Sequence, residues 1–290
     1  MTGGSGMGLR IVAFHNRLPA YRVAAAWAER AGHTLALVVT TPGPTTRRTA
    51  LYRDILAAAP PGQDVLVTTR LRRVALPLIK VLAPDLILTF TFPYRIPPEI
   101  IAIPRIAAVN LHPAPLPRYR GPNPMRMIYD GAPTLGATLH YLDNDFDTGA
   151  ILGRAEGPMP ENLSTESIFG AWMPLMTRAL AEGVERACAG DPGTPQDDAL
   201  ATYSPEFTEE EHWLDWRLPK TTLYHRAAAL NIGRPPAKAM IGDRPYRIER
   251  LEPTADATAT PGAILDRTDD TLTIGVADGA VRVIATPITD

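Results

Sequence analysis

Residues 9–40 read LRIVAFHNRLPAYRVAAAWAERAGHTLALVVT and contain two kinds of pattern. Short apolar, β-branched runs at 9–14 and 34–40 predict strands, and the alanine-rich segment 21–31 between them predicts a helix that stops at Gly32. A strand, a helix and a second strand in this order form a βαβ unit of a parallel sheet.

The same alternation continues along the chain. We predict further strands at 64–69, 85–91 and 107–111, with helices at 49–59 and 71–82 between them. The sequence therefore predicts an α/β fold that starts with a Rossmann-like, doubly wound and mostly parallel sheet. Ligands of such sheets bind at the carboxyl ends of strands, so the loops after the first, fourth and fifth strands are candidate sites.

The next part of the chain extends this domain. A short helix is predicted at 122–131, two strands at 137–142 and 151–155, and a long helix at 165–189. Gly3 to Gly8 resembles a phosphate loop only superficially, because it precedes the first strand instead of following it. We interpret it as part of a flexible tail.

The character of the sequence changes after residue 190, where a Pro/Gly/Asp-rich run predicts a linker. One helical segment near 218–231 then precedes five short strands separated by turn pairs, which is typical of a small OB-like β-barrel. The predicted organisation is an N-terminal tail (1–8), a catalytic domain (9–190), a linker (191–205) and a C-terminal β-barrel subdomain (206–290).

The composition is that of a globular protein. The chain has 290 residues, of which 45% are hydrophobic and 21% charged. The net charge of -2 and the pI near 6.3 argue against a nucleic-acid backbone as the main partner. Cys188 is the only cysteine, which excludes internal disulfides and, with no export signal or membrane span expected, predicts a cytoplasmic protein. The oligomeric state stays open.

The loop after the fifth strand carries the chemistry. Residues 109–121 read VNLHPAPLPRYRG, and Asn110 and His112 are two apart on a strand, so their side chains point to the same side. Pro113 holds His112 extended, and the later prolines stiffen the loop. An amide can donate to a developing oxyanion, and a histidine can donate to it or relay a proton, so the pair suits acyl-type transfer.

Such a site needs a carboxylate. Asp143, Asp145 and Asp147 fall on one turn, and Asp147 is the best candidate because Gly149 relaxes the backbone beside it. The alternatives are plain ones: a histidine after a strand is often a loop or cap residue, and an Asp-Thr-Gly triplet is often only a turn.

These motifs together resemble the folate-dependent formyltransferase family. The resemblance rests on Asn110-Leu-His112, Leu116-Pro117, Arg120-Gly121, Gly136-Ala-Thr-Leu-His140 and Asp147-Thr-Gly149, in this order and spacing. From Phe207 onward the sequence is similar to the C-terminal barrel of the family's methionyl-tRNA enzymes and of some amino-sugar enzymes. The resemblance implies 10-formyltetrahydrofolate as the formyl donor and no metal.

The resemblance also assigns roles to individual residues. Asn110, His112 and Asp147 would be catalytic: the first two would stabilise the oxyanion, and Asp147 would orient His112 and keep it charged. The implied folate-binding residues are Phe92, Tyr94, Ile96, Pro97, Leu116, Asp143 and Asp145. The implied contacts to the acceptor are His15, Asn16, Arg17 and Arg120.

Departures from the family pattern bear on the acceptor. Ala114-Pro115 replaces the usual Ser-Leu of the tRNA enzymes, and residues 41–54 lack their basic insertion. From Pro205 to Asp290 ten Lys/Arg face fourteen Asp/Glu, whereas a surface that tracks phosphates should be basic. We therefore expect a small-molecule amine, such as an amino sugar or an amino acid derivative. The alternatives are methionyl-tRNA, hydrolysis of the donor, and an inactive folate-binding protein.

Overall fold

The computed structural model describes residues 8–42, 50–233, 236–254, 259–268 and 270–289. The chain forms two compact units that are not contiguous in sequence. The first consists of residues up to 120, 136–156 and 172–203, and the second of 121–135, 157–171 and the residues from 204 onward. Apart from Gly8, the predicted N-terminal tail lies outside the described residues, as do Arg47 and Arg48 of the segment 41–54.

A seven-stranded mixed sheet is the main feature of the first unit. Its strands are β1 (Arg10–His15), β2 (Thr34–Thr40), β3 (Val65–Val67), β4 (Leu86–Phe90), β5 (Ala107–His112), β6 (Thr134–Tyr141) and β7 (Ile151–Pro158). Their order is β3-β2-β1-β4-β5-β6-β7. β1 to β5 pair in parallel, whereas β6 runs antiparallel to β5. The direction of winding reverses between β1 and β4, which makes their carboxyl ends the expected ligand crevice.

Helices cover both faces of the parallel strands. Counted along both units, the α-helices of the described residues are α1 (Leu18–Arg30), α2 (Tyr52–Ala58), α3 (Leu76–Leu82), α4 (Pro98–Ile101), α5 (Arg126–Tyr129), α6 (Thr165–Cys188) and α7 (Lys220–Gly233), of which α5 and α7 belong to the second unit. Side chains of α3 and α4 pack with one set of strand residues, and side chains of α1 and α2 pack with another. Burial on both faces explains why the strands are almost continuously apolar.

Helix α1 shows how local sequence sets these boundaries. Pro19 lies in its first turn, where a missing backbone N–H costs no hydrogen bond. Gly32 follows its last residues with a φ of 71°, a left-handed conformation that glycine adopts without strain. The buried face consists of three alanines and of Tyr21, Val23 and Trp27.

The second unit contains a five-stranded antiparallel sheet. Its strands are β8 (Ala237–Ile241), β9 (Arg244–Pro253), β10 (Ile264–Arg267), β11 (Leu272–Val276) and β12 (Gly279–Pro287), in the order β10-β11-β12-β9-β8. α7 is attached to this sheet by Asn231, whose Nδ2 donates to the carbonyl oxygens of Ile248 and Glu249 at 3.1 and 3.0 Å.

The predicted fold class, a Rossmann-like sheet followed by a small β domain, is confirmed. The helix predicted at 122–131 is shorter than expected, because Pro124 disfavours a helical conformation at Asn123 and α5 begins only at Arg126. The predicted domain bounds stay predictions; residues 191–203, expected as a linker, pack with the first unit, where Thr194 bridges to Ile151. Among the described helices, none is long and apolar enough to cross a membrane.

Candidate active site

The end of β5 places Asn110 and His112 beside the strands on either side of it. In the parallel ladder Asn110 is paired with Thr89 of β4, and in the antiparallel ladder it is paired with His140 of β6. Paired residues of neighbouring strands face the same side of a sheet. Two ladders therefore bring these side chains together, and Asp147 reaches the same place from the loop between β6 and β7.

The Asn110 amide has a fixed orientation. The Asp147 carboxylate only accepts, so the end of the amide that faces it is the nitrogen, and the Thr89 hydroxyl donates to Oδ1 at 2.7 Å. The Nδ2 end then faces two acceptors, Asp147 Oδ1 at 3.2 Å and His140 Nε2 at 3.1 Å. Both hydrogens of the amide nitrogen are thus directed into the site.

The His112 ring is held at both nitrogens and is only 5% exposed. Nε2 lies 2.7 Å from the carbonyl oxygen of Tyr119, and because a carbonyl only accepts, Nε2 carries a hydrogen. Nδ1 lies 3.4 Å from Asp147 Oδ1. The Asp147 carboxylate therefore faces the Nδ1 edge of the ring, and the Tyr119 carbonyl faces the Nε2 edge.

The loop that follows His112 is rigid. Thr138 of β6 is completely buried; its hydroxyl accepts from the backbone N–H of Leu116 at 3.1 Å and donates to the carbonyl oxygen of Ala114 at 2.8 Å. This side chain fixes the turn that carries the Tyr119 carbonyl back to the His112 ring.

Asp147 has a strained backbone and little exposed surface. Its φ is 59°, a left-handed value that is uncommon for a residue with a side chain, and it is 8% exposed. Gly149, two residues further along the same turn, has no room for a side chain, because a Cβ there would overlap the carbonyl oxygen of Tyr141. Gln196 Nε2 donates to the carbonyl oxygens of Asp147 and Gly149 at 2.9 and 2.8 Å.

His140 is a site residue to which the sequence analysis assigned no role. It is 1% exposed, and its Nδ1 lies 2.8 Å from the carbonyl oxygen of Tyr141, so Nδ1 carries the hydrogen and Nε2 presents a lone pair to Asn110. Its Nε2 is also 3.5 Å from Asp147 Oδ1. The available signal was its place at the end of the Gly136–His140 motif, on the strand predicted at 137–142.

The predicted folate-binding residues after β4 form an aromatic and apolar wall. The rings of Phe92 and Tyr94 are 5.9 Å apart at an interplanar angle of 68°, and Phe92 stands edge-on to Phe14 at 5.3 Å. Ile96 is 8% exposed and packs in the same cluster, whereas Pro97 begins helix α4 as its N-cap.

The other predicted folate-binding residues have different surroundings. Leu116 is completely buried. Asp143 is engaged within its own turn, where both carboxylate oxygens accept from the Thr148 hydroxyl at 2.9 and 2.8 Å. Asp145 pairs with Arg95 at 2.9 Å, and the Arg95 guanidinium also lies 5.0 Å from the centre of the Phe146 ring. One arginine thus links the loop after β4 with the loop that carries Asp147.

The predicted acceptor contacts differ in burial and in their partners. His15 is completely buried, and burial lowers its pKa to about 4 although a hydrogen bond to the Phe90 carbonyl opposes the shift. Asn16 is 8% exposed, and Arg17 is exposed at the N-cap of α1. Arg120 lies beyond the catalytic loop, where Nε and Nη2 donate to Gln196 and Nη2 also donates to Asp198.

No group of three or more His, Cys, Asp or Glu side chains that could hold a metal ion occurs among the described residues. The arrangement instead offers amide and imidazole N–H donors beside one carboxylate. Such groups suit stabilisation of negative charge on an oxygen atom and proton relay.

Comparison with protein families gives two matches that together cover most of the chain. The model of the family described as formyl transferase matches residues 23–180, and that of the formyl transferase C-terminal domain matches residues 206–287. The methionyl-tRNA formyltransferase of Pelobacter propionicus is 30% identical over 244 residues, which is 83% of this chain and 73% of the relative. That of Enterococcus faecalis is 30% identical over 203 residues, 69% of this chain and 64% of the relative.

Solved structures give the same fold. HypX from Aquifex aeolicus in complex with tetrahydrofolic acid has a TM-score of 0.70 and 20% identity, covering 96% of this chain and 46% of that chain. The N-formyltransferase from Helicobacter canadensis, in complex with folinic acid and dTDP-3-aminofucose, has a TM-score of 0.67 and 14% identity, covering 97% of this chain and all of that one.

Proposed function

The chain belongs to the formyl transferase family and is a folate-dependent enzyme, and we propose that it formylates the primary amine of a small molecule with 10-formyltetrahydrofolate as donor. One observation carries the chemical part of the proposal. Two side chains of one strand approach the same oxygen atom of a loop residue: Asn110 Nδ2 and His112 Nδ1 lie 3.2 and 3.4 Å from Asp147 Oδ1.

The reaction that we propose is direct transfer. The neutral amine attacks the formyl carbon, a C–N bond forms, and the carbonyl electron pair moves to oxygen. Asn110 Nδ2 and His112 donate N–H groups to this oxyanion, while Asp147 holds a proton on His112 Nδ1. The bond from carbon to N10 then breaks, and the proton lost by the amine reaches N10 through His112 or a water molecule.

The N–H donors of the site are hydrogen-bonded to other groups of the protein. Both Asn110 hydrogens are taken by Asp147 and His140, and the His112 Nε2 hydrogen is taken by the Tyr119 carbonyl. These partners keep the donors ordered and partly dehydrated before the reaction. To stabilise charge on the formyl oxygen, Asn110 and His112 have to exchange these partners for the substrate, so the proposal requires a local rearrangement when the donor binds.

The acidic charge of the residues after Pro205 and the sequence motif after His112 favour a small-molecule acceptor. The excess of acidic residues after Pro205 is unfavourable for binding a tRNA backbone. Ala114 and Pro115 occupy the place of the tRNA enzymes' Ser-Leu, and His140 contacts Asn110 directly. The Helicobacter enzyme of the same fold is described with an amino sugar nucleotide, which makes that class the first to test.

Methionyl-tRNA is the second candidate acceptor. It is favoured by one specific observation: the curated relatives at about 30% identity are methionyl-tRNA formyltransferases. The chemistry at Asn110, His112 and Asp147 would be the same, so the acceptor has to be separated by experiment.

The decisive measurement is an acceptor screen. The purified protein is incubated with 10-formyltetrahydrofolate and, in parallel, with nucleotide-linked amino sugars, amino acid derivatives, initiator methionyl-tRNA, or no acceptor. We expect formylated product with a small amine. Formylation of tRNA alone, with a rate that falls steeply as salt rises, would establish the second candidate. Formate without acceptor would identify a hydrolase, and folate binding without any turnover would identify an inactive protein.

A further inference from the structure

We propose that Gln196 is a positioning residue for Asp147 and that Arg120 sets the orientation of Gln196. The inference rests on the proposed catalytic role of Asp147. It assigns a function in the reaction to the segment after α6, whose composition alone predicts only a linker.

All four hydrogen-bonding positions of the Gln196 amide are used. Nε2 donates to the carbonyl oxygens of Asp147 and Gly149 at 2.9 and 2.8 Å. Oε1 accepts from Arg120 Nε at 3.1 Å and from Arg120 Nη2 at 2.9 Å. A guanidinium only donates, so the atom that faces Arg120 must be the amide oxygen, and the nitrogen must face the two carbonyls. Arg120 therefore determines which end of Gln196 meets the Asp147 turn.

The turn that Gln196 holds needs an external support. Asp147 has a φ of 59°, which costs free energy for a residue with a side chain even though aspartate tolerates it better than most, so hydrogen bonds from outside the turn help to hold it. The two carbonyls bound by Gln196 lie on either side of Thr148, so the bonds restrain the whole turn.

Small movements of this turn would break the catalytic contacts. Asp147 Oδ1 lies 3.2 Å from Asn110 Nδ2 and 3.4 Å from His112 Nδ1, which are already long for hydrogen bonds. A displacement of roughly 1 Å at a catalytic group can lower a rate by about 100-fold. Gln196 thus acts on the reaction through the position of one oxygen atom.

The surroundings of Arg120 support the same assignment. Its side chain is 12% exposed, and besides Gln196 its Nη2 donates to Asp198 Oδ1 at 2.9 Å. The backbone N–H of Arg120 also donates to the Thr202 carbonyl oxygen at 2.9 Å. The arginine predicted from its motif as an acceptor contact is therefore built into the support of the Asp147 turn.

Two substitutions of similar length test the role of the Gln196 amide. Gln196→Met removes the donors and adds no charge, and Gln196→Glu keeps the pairing with Arg120 but has no N–H to donate. We expect each to lower kcat about 10- to 100-fold with little change in KM for the folate donor, and Gln196→Met also to lower the melting temperature modestly, because Arg120 and the turn lose hydrogen bonds. Unchanged kcat in both variants, at wild-type folate binding, would overturn the proposal.

Gln63 provides the matched control. Its Nε2 also donates to two backbone carbonyls, those of Leu35 and Asp64 at 3.0 and 3.1 Å, but these lie near the amino end of β2 and at the start of β3. Gln63→Met should leave kcat unchanged. An equal fall in kcat for Gln63→Met and Gln196→Met would indicate a general effect of losing such bonds and would contradict a specific role for Gln196.

A double-mutant cycle separates this inference from the proposed function. If Gln196 acts through the Asp147 carboxylate, Gln196→Met should lower kcat much less in an Asp147→Asn background than in the wild type. Equal fold-losses in both backgrounds would overturn the inference alone. Wild-type turnover of Asp147→Asn itself would overturn the proposed catalytic role and, with it, this inference.

Discussion

Two clusters of buried and partly buried polar side chains lie in different units of the molecule and differ in their geometry. In the first unit, Asn110, His112 and His140 approach the same oxygen of Asp147 at 3.2, 3.4 and 3.5 Å. In the second unit, one arginine and one carboxylate form a parallel pair of bonds, Arg126 Nη1 and Nη2 to the two oxygens of Glu211, at 2.6 and 2.7 Å.

The difference shows what each cluster is built to do. In the second unit each carboxylate oxygen has its own short bond, and the guanidinium lies 4.4 Å from the centre of the Phe207 ring and 5.4 Å from that of Tyr129. Hydrogen bonds from Arg126 lower the pKa of Glu211, as expected for a pair that stays ionised. Long contacts that share one oxygen leave the donors of the first cluster able to change partners. Substitutions should therefore separate turnover from stability.

The largest effect is expected at the shared oxygen. Asp147→Asn keeps the shape of the side chain, and asparagine tolerates the left-handed backbone at this position. Loss of the carboxylate removes the oxygen acceptor that Asn110 Nδ2 and His112 Nδ1 share, so we expect kcat to fall about 1000-fold, equivalent to ~4 kcal/mol of barrier. His112→Gln should give a loss of similar size. Steady-state kinetics with any acceptor that supports turnover provides the measurement.

Folate binding and stability are the controls for these two substitutions. Folate binding and melting temperature should change little in Asp147→Asn, because the turn remains held by Gln196. Turnover within tenfold of wild type in both Asp147→Asn and His112→Gln would remove the distinction between the clusters and the catalytic assignment together.

His15 is a buried polar residue that belongs to neither cluster, and its effect is expected in the pH dependence of stability. Its Nδ1 lies 3.3 Å from the Phe90 carbonyl oxygen, and its buried Nε2 has no hydrogen-bond partner within the described part of the chain. Burial lowers its pKa from 6.5 to about 4. Between these values the unfolded chain binds a proton that the folded chain does not, so stability is lost as the pH falls.

The magnitude follows from the two pKa values. The linked loss is roughly 3 kcal/mol over the range from pH 6.5 to about 4. His15→Gln should flatten the pH dependence of the free energy of unfolding by about 2 kcal/mol between pH 7 and pH 4.5, where denaturant titrations can measure most of the linked loss. Parallel pH profiles for wild type and variant would show that the ring is protonated in the folded protein.

The same comparison explains what the sequence could predict. The shared face of Asn110 and His112 was predictable because two residues that are two apart on one strand point to the same side whatever surrounds them. Gly32 and the β-branched runs marked the ends and the type of the elements. Thr89, His140 and Gln196 were assigned no role because their contacts depend on strand register and tertiary packing. They meet Asn110 or Asp147 across 21, 30 and 49 residues of sequence.

The segment after α6 shows the limit of composition as a guide. A Pro/Gly/Asp-rich run predicts a linker because few of its residues can contribute to a hydrophobic core. Residues 191–203 are attached to the first unit by polar side chains instead, through Gln196 and through Arg186, whose Nε donates to Asp191 at 2.8 Å. Such attachment leaves no hydrophobic periodicity in the sequence.

The smallest effect is expected in the second cluster and concerns stability alone. The side chains of Arg126 and Glu211 are 11% and 28% exposed. Removing one partner of a fully buried ion pair costs about 3 to 5 kcal/mol, and the exposure of Glu211 reduces this, so Arg126→Met should lower the free energy of unfolding by about 2 kcal/mol. Turnover of the remaining folded protein should be unchanged.

Arg217 in the same unit is the control for this pair. It forms a similar fork with Asp215, at 2.8 to 3.1 Å, but its side chain is 82% exposed. Water and salt screen such a pair, so Arg217→Met should leave the melting temperature unchanged. Equal destabilisation by the two substitutions would mean that burial does not set the strength of these pairs, and a loss of turnover in Arg126→Met would mean that the second cluster also takes part in the chemistry.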